Sequence, residues 1–368
     1  MCPPDSFLSE SLQIGDKFPV GNAALHPDWP EGRFNVGAMF VFEGVVLLFV
    51  DVVQKWFGCR VAVENIHGAP TVLWNGGRFT PLRYDRARFS ANLENLYNRG
   101  IGCFLTFTNQ LLEAGDLNDA DSNCLLDIVA QRPDLNGVIV NSDLLSNYIA
   151  GRYPSLRQVA SVTKVVAEGG RGKVSYYNDL GKRFYRYVLH WDDCRDVRLL
   201  DQLDRTKAEI IVNERCVRGC TLRARHYEVI AQMHRHSGSR HVAVTTGHDD
   251  ALVKRRAAEQ ELAEFLALCP AEPMSRQIGK QQRNCTLTRN ELKSLYGLGF
   301  RHFKIQGRSD NSLSFLYDLA HFTLEPACAA QLVYKAILPI VMQSFAMTQA
   351  GLRPAAPGVL DMVAATNR

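Results

Sequence analysis

The chain has 368 residues, 46% of them hydrophobic and 22% charged, with a net charge of +4. This is the composition of a soluble globular protein, long enough for one large barrel or two ordinary domains. So small a charge gives no warrant for nucleic-acid binding, while an anionic small substrate stays compatible with it.

The first residues, Met1-Cys2-Pro3-Pro4-Asp5, have no basic region followed by an apolar core, so no secretory signal is read there. Arg33 to Val41 reads as a first strand and Gly44 to Phe57 as a helix with an apolar face. Within that helix Val45 to Val53 is the most apolar run of the chain. With Glu43, Asp51 and Lys55 beside it, it is too short and too charged to span a bilayer, so no membrane partner is expected. Val61 to Ile66 is a second strand, followed by His67-Gly68-Ala69-Pro70 and the turn Asn75-Gly76-Gly77-Arg78. Arg86 to Asn98 is helical, with Phe89, Leu93 and Leu96 at helical spacing.

Gly102 to Thr108 is the third strand, Asn123 to Ala130 a helix, and Gly137 to Val140 the fourth strand, ending at Asn141-Ser142-Asp143. Gln158 to Val162 is the fifth, ending at Thr163, and a helix surrounds Tyr177 to Lys182. Tyr185 to Trp191 is the sixth, ending at Asp192-Asp193. That pair suits either a divalent cation or the cap of the helix Val197 to Leu203. Ala208 to Val212 is the seventh and Phe300 to Ile305 the last, with helices at Leu313 to His321 and Ala329 to Ala346 closing the chain.

Eight strands alternating with helices predict an α/β fold, a (β/α)8 TIM barrel over 1–368, rather than two domains. Polar residues recur at the carboxyl ends of the strands: Asn109, Asn141, Thr163, Asp192, Asn213, Glu214 and Arg308. One connection is abnormal. More than eighty residues separate Asn213 from Phe300, which makes 215–299 a cysteine-containing insertion at the mouth of the barrel. It carries the helix Ala224 to Arg235 and a basic helix near Ala251 to Leu268. Long insertions at the active-site face of a scaffold are usually functional.

Ten cysteines in a cytoplasmic type of chain argue against a disulfide scaffold, and most read as small buried hydrophobes, Cys103 being a clear case. The exception is Asn213-Glu214-Arg215-Cys216-Val217-Arg218-Gly219-Cys220, where two thiols follow a buried strand directly. Cys216 and Cys220 have the spacing of two ligands to one zinc or iron–sulfur centre, Cys285 is the obvious third thiolate, and Cys269 and His226 are candidates for a fourth position. Such a metal could act on substrate or merely staple the insertion. Arg223, Arg225 and Arg308 would supply forked donors to an anion, although solvated helix arginines are the plain alternative. Glu214 suits a general acid or base, or an ion pair with Arg223. His234 and His236, among Arg235, Ser237 and Gly238, read as solvated surface.

The pattern N-E-x-C-x-x-x-C-x-x-R-x-x-H, with Cys285 and then Lys304-Ile305-Gln306-Gly307-Arg308, resembles the collagenase-like peptidase family "U-thirty-two" and its relatives. The resemblance extends back to His67-Gly68 and Gly77-Arg78, and Thr221 stands where relatives commonly carry a proline. It implies a TIM barrel whose Cys216, Cys220 and Cys285 ligate an iron–sulfur cluster, [4Fe-4S] in type, with Arg223, His226 and Arg308 in the site. Some members of that family hydroxylate tRNA bases or ubiquinone precursors without oxygen, and others are labelled peptidases. The expected function is therefore an iron–sulfur oxidation or hydroxylation of a small or peptide-like anion in a biosynthetic pathway. A peptidase-like hydrolase and a non-catalytic barrel subunit are the alternatives. The expected location is cytoplasmic, and a homo- or heterodimer is compatible. No serine elbow or H-E-x-x-H helix is present to perform hydrolysis.

Overall fold

All eight apolar runs become strands, each hydrogen-bonded in parallel to the next. They are β1 (Arg33–Gly37), β2 (Val63–Gly68), β3 (Gly102–Phe107), β4 (Gly137–Val140), β5 (Arg157–Ala160), β6 (Arg186–Val188), β7 (Ala208–Ile211) and β8 (His302–Ile305). They close in chain order into one barrel, the (β/α)8 TIM architecture. The structure, a computed structural model, describes residues 19–77, 85–237, 248–269, 285–307 and 312–337. Its α-helices are α1 (Glu43–Phe57), α2 (Arg86–Tyr97), α3 (Ala120–Val129), α4 (Asp143–Arg152), α5 (Val162–Ala167), α6 (Val174–Arg183), α7 (Val197–Leu200), α8 (Arg223–Ser237), α9 (His248–Leu268), α10 (Arg289–Gly297), α11 (Ser312–Thr323) and α12 (Pro326–Gln331).

Several boundaries differ from the sequence reading, for local reasons. β1 stops at Gly37 because Ala38 and Phe40 take positive φ, +103° and +69°, which ends an extended strand. β2 runs on through His67 and Gly68, and the Met39 N–H donates to the His67 carbonyl. Helices α4, α5 and α10 are short, at ten, six and nine residues, and each has an oxygen cap: Ser142, Ser161 and Thr288 accept N–H bonds from their first turns. Asp192 and Asp193 do not cap α7, since that role falls to Asp196. The expected closing helix becomes α12 and then a π-helical turn, Leu332–Ile337, with the remainder outside the described residues.

Internal contacts divide the chain into two compact units. One holds the barrel from Phe34 to Phe40 and from Val63 to Gln306, so the strands and the insertion belong together. The other includes α1, α11 and α12, where Phe42 stacks on Phe315 at 5.6 Å and the Trp29 indole N–H donates to the Phe322 carbonyl at 2.6 Å. Among the described residues no helix is long and apolar enough to cross a membrane.

The barrel lumen has two chemically distinct halves. Five consecutive strands, β3 to β7, contribute Phe104, Ile139, Val159, Val188 and Ile211 to one apolar cluster. Gly137 makes room for this packing, because a Cβ there would meet the Phe104 ring at 2.7 Å. The other part is polar, and its bonds from Asn35 to Glu209 and from Glu64 to Arg186 and His302 join strands that are not neighbours, so they cross the lumen. Asn35 on β1 donates to Glu209 on β7 at 2.7 Å, and Asn65 on β2 donates to Asn35 at 2.6 Å. Glu64 on β2 accepts from Arg186 on β6 at 2.6 Å and meets His302 on β8 at 3.2 Å. Lys304 Nζ lies 3.8 Å from Glu209 Oε2.

Burial alone would push the Glu64 carboxyl up, but the bonds and charges of His302 and Arg186 outweigh it and hold the group at about 2. A depressed carboxyl contributes stability above its unfolded value near 4.5 and loses it as pH falls toward 2. We expect this group to contribute on the order of 3 kcal/mol at neutral pH. Urea unfolding between neutral pH and acid should therefore show a decline that Glu64→Gln flattens.

Candidate functional site

The site is built where β7 leaves the barrel. Asn213 and Gln306, at the ends of adjacent strands, bond reciprocally: Gln306 N–H donates to Asn213 Oδ1 at 2.7 Å, and Asn213 Nδ2 donates to the Gln306 carbonyl at 3.0 Å. Glu214 follows and is only 2% exposed. Its carboxylate accepts from Gln306 Nε2 at 2.8 Å and from the Cys216 N–H at 3.2 Å, and lies 3.7 Å from Arg223 Nη1. So buried a charge requires such partners. The ion-pair reading of Glu214 is the one realised. Held from three sides, this carboxylate is a poor candidate for a mobile general base.

Arg223 is buried as well, with its guanidinium 4.0 Å over the Trp191 ring and Nη2 donating to the Val217 carbonyl at 3.4 Å. It is committed inside the protein rather than presented to solvent. Its Nε has no hydrogen-bond partner among the described residues. Between Cys216 and Cys220 the chain turns through Gly219, at φ +63°, whose N–H donates to Asp192 at 3.1 Å. Asp192 also pairs with Arg171 at 3.3 Å.

The insertion returns to the place it left. The Cys285 N–H donates to the Cys216 carbonyl at 2.8 Å and the Leu287 N–H to the Val212 carbonyl at 2.9 Å, an antiparallel pairing of the outgoing and incoming chain. Thr286 adds a side-chain bond to the Glu214 carbonyl at 2.9 Å. This brings Cys285 beside Cys216, and Arg223 acts electrostatically on both thiols. Cys220 acts on Cys216 too. Burial pushes the Cys216 thiol up to about 11 and that of Cys285 higher still, so both stay protonated at neutral pH unless a metal displaces the proton. Among the described residues, no three His, Cys, Asp or Glu side chains already converge so as to hold a metal ion.

The other predicted residues are placed differently. Cys269 packs with Val229 and Phe265 where α8 meets α9, an apolar cluster separate from the one that contains Cys285. The His226 ring lies 5.2 Å from Phe265, on that same side of α8. Both face the partner helix because α8 and α9 bury a shared apolar stripe. Arg225 pairs with Glu228 at 2.8 Å and with Glu261. Arg308 lies outside the described residues.

The histidines read as solvated surface are a correction. His234 is fully buried, with Nε2 3.0 Å from the Gly77 carbonyl, and burial lowers it to about 4. His236 is only partly exposed. The reason is tertiary: α8 crosses from the end of β7 to the loops after β2 and β3. There Asn109 donates to the Ala231 carbonyl at 3.2 Å, and Arg235 donates to the Leu111 carbonyl and pairs with Glu113 at 3.0 Å. Midway, Tyr227 joins the apolar lumen cluster together with Cys285 and Trp191. The insertion thus covers the apolar half of the mouth.

Sequence reasoning missed Trp191, His190 and Gln306. Burial lowers His190 to about 4, against the pull of Asp192, leaving a neutral imidazole among Asp192, Arg171, Arg223 and Glu214. An aromatic and a histidine directly before Asp192-Asp193 at a strand end were the available signal.

No protein-family model matches the chain, and no curated protein does. Among solved structures, that of the U32 peptidase Mk0906 is similar over 76% of this chain and 93% of its own, at 14% identity and a TM-score of 0.44.

Arg223 tests the coherence of this site. Arg223→Met should leave Glu214 buried without its cation and cost about 3–5 kcal/mol, read as a lowered midpoint in chemical unfolding. The double variant Arg223→Met with Glu214→Gln should recover part of that loss.

Proposed function

We propose that this chain is an enzyme of the barrel mouth that holds an iron–sulfur centre, of [4Fe-4S] type, through Cys216, Cys220 and Cys285. The reaction is an oxidation or oxygen-independent hydroxylation of a small or peptide-like substrate. One observation carries the reading. The thiols of Cys216 and Cys285, far apart in sequence, share a single buried guanidinium, Arg223, and Cys220 in the same turn acts on Cys216.

The donors fit such a centre in kind. Thiolates carry negative charge, and Arg223 supplies a fixed positive charge together with a buried N–H that has no hydrogen-bond partner among the described residues. Bound there, the group would supply one-electron chemistry at the mouth. The chain's own residues supply the setting. Trp191 and Tyr227 exclude water, Glu214 fixes the turn through the Cys216 N–H, and His190 is a neutral imidazole whose Nδ1 accepts the Asp192 N–H. Zinc on the same thiols is the alternative occupant.

A hydrolase using a thiol would need an activated Cys, and the Cys216 thiol is shifted the wrong way. A second reading, a non-catalytic subunit of a larger enzyme, is favoured by the side chains of Tyr227 and Cys285 filling the apolar half of the mouth.

Anaerobic purification with iron and acid-labile sulfide analysis tests the reading. The wild type should carry both, with a visible band that bleaches on reduction. Cys216→Ala and Cys285→Ala should each lose the band, whereas Cys269→Ala should keep it. Zinc alone, or a band that survives Cys285→Ala, would sink the proposal.

A further inference from the structure

The polar half of the lumen holds more polar atoms than it has partners for. Five buried side-chain atoms there make no hydrogen bond among the described residues: Asn65 Oδ1, His67 Nδ1, Glu209 Oε2, Lys304 Nζ and Gln306 Oε1. Each belongs to a side chain at least nine-tenths buried. They also form one connected patch. Asn65 reaches Glu209 through Asn35, Glu209 faces Lys304 across 3.8 Å, Lys304 acts electrostatically on His67, and Gln306 directly follows the end of β8, two residues after Lys304. Leaving such an atom unpaired forfeits its hydration with nothing in return, and native interiors rarely tolerate several together. Something polar belongs between them.

The inventory says what kind of molecule. The amide nitrogens of Asn65 and Gln306 are engaged by Asn35 and Glu214, so it is their oxygens that remain open. With Glu209 Oε2 they make three acceptors against the single cationic donor of Lys304, while His67 serves as either. Charges are balanced locally, Lys304 against Glu209 and Arg186 against Glu64. A carboxylate or phosphate would satisfy Lys304 and then face three oxygens, which repels it. A hydroxyl group both donates to such oxygens and accepts from an ammonium. Because the open atoms are spread along β2, β7 and β8 rather than gathered at one point, one hydroxyl is not enough.

We propose that the polar half of the barrel lumen is a binding site for a small uncharged ligand bearing several hydroxyl groups, a polyol or simple sugar, held by Asn65, His67, Glu209, Lys304 and Gln306. The site stands independently of any metal on the thiols. It lies beneath the half of the mouth for which α8 supplies no apolar plug. Glu209, Lys304 and His67 are the titratable groups that would touch such a ligand.

The test uses the full-length protein and ligand-observed saturation-transfer NMR with erythritol, xylitol and ribose as probes, and acetate as the anionic control. At least one polyhydroxylated probe should bind saturably below about 100 mM, acetate should not, and Gln306→Leu should weaken binding roughly tenfold or more. Saturable acetate binding, no binding by any of the three probes, or binding indifferent to Gln306→Leu would each overturn the proposal. Should Gln306→Leu fail to fold, crystals of the wild type soaked in the best probe decide the matter. Ligand density against Lys304 and Glu209 supports the site, and ordered water alone refutes it.

Discussion

Burying the Glu214 carboxylate at the end of β7 is the constraint on which the arrangement of the mouth depends. A charge at 2% exposure must be neutralised and hydrogen-bonded where it stands. Three different parts of the chain meet that demand: Gln306 from β8, the Cys216 N–H from the turn, and Arg223 from the start of α8. Once Arg223 is drawn in, its guanidinium settles on Trp191, which fixes the direction in which α8 departs. The thiols are placed as a consequence. Cys216 lies within the turn that Glu214 holds, and Cys285 arrives on the strand-like return that pairs with it.

The direction of α8 then decides which half of the lumen is covered. By crossing to Gly77, Asn109 and Leu111, the helix lays Tyr227 over the apolar half formed by β3 to β7. That covering is a hydrophobic solution, because Phe104, Ile139 and Val188 would otherwise end in an open mouth. Over the polar part, built by Asn35, Asn65, Arg186, Glu209 and Lys304, the described residues supply no comparable apolar plug, and bonds such as that from Asn35 to Glu209 cross the lumen. Barrel interiors are ordinarily filled by branched apolar side chains in layers. A half built from Asn35, Asn65, Glu209 and Lys304 departs from that pattern, and departures of this kind concentrate where a fold does its work.

Much of the scaffold was legible without coordinates. Parallel strands buried on both faces read as short apolar runs, and Gly137–Val140 and Ala208–Ile211 are found where that signal put them. Helices with a clear apolar stripe, such as α1 and α2, were equally legible. The short capped helices α4, α5 and α10 were not, since a serine or threonine in a loop signals a cap only once the following turn is known to be helical. The two thiols directly after β7 were also readable, and the returning chain sets Cys285 beside Cys216. Cys269 and His226, equally eligible by type, face the α8–α9 interface instead.

By itself the sequence determined the alternation of strand and helix, hence the barrel, and the position of an abnormal insertion after the seventh strand. Those properties are local: they follow from periodicity, length and the chemistry of consecutive residues. Only the tertiary structure decided which polar residues meet. Asn35 and Glu209 are 174 positions apart, and His234 and Gly77 are 157 apart. No spacing rule connects such pairs, because they are joined by the curvature of a closed sheet and the path of one helix. For the same reason His234 could read as surface and yet be core, and a lumen that composition would fill with Val and Ile could carry a lysine opposite a glutamate.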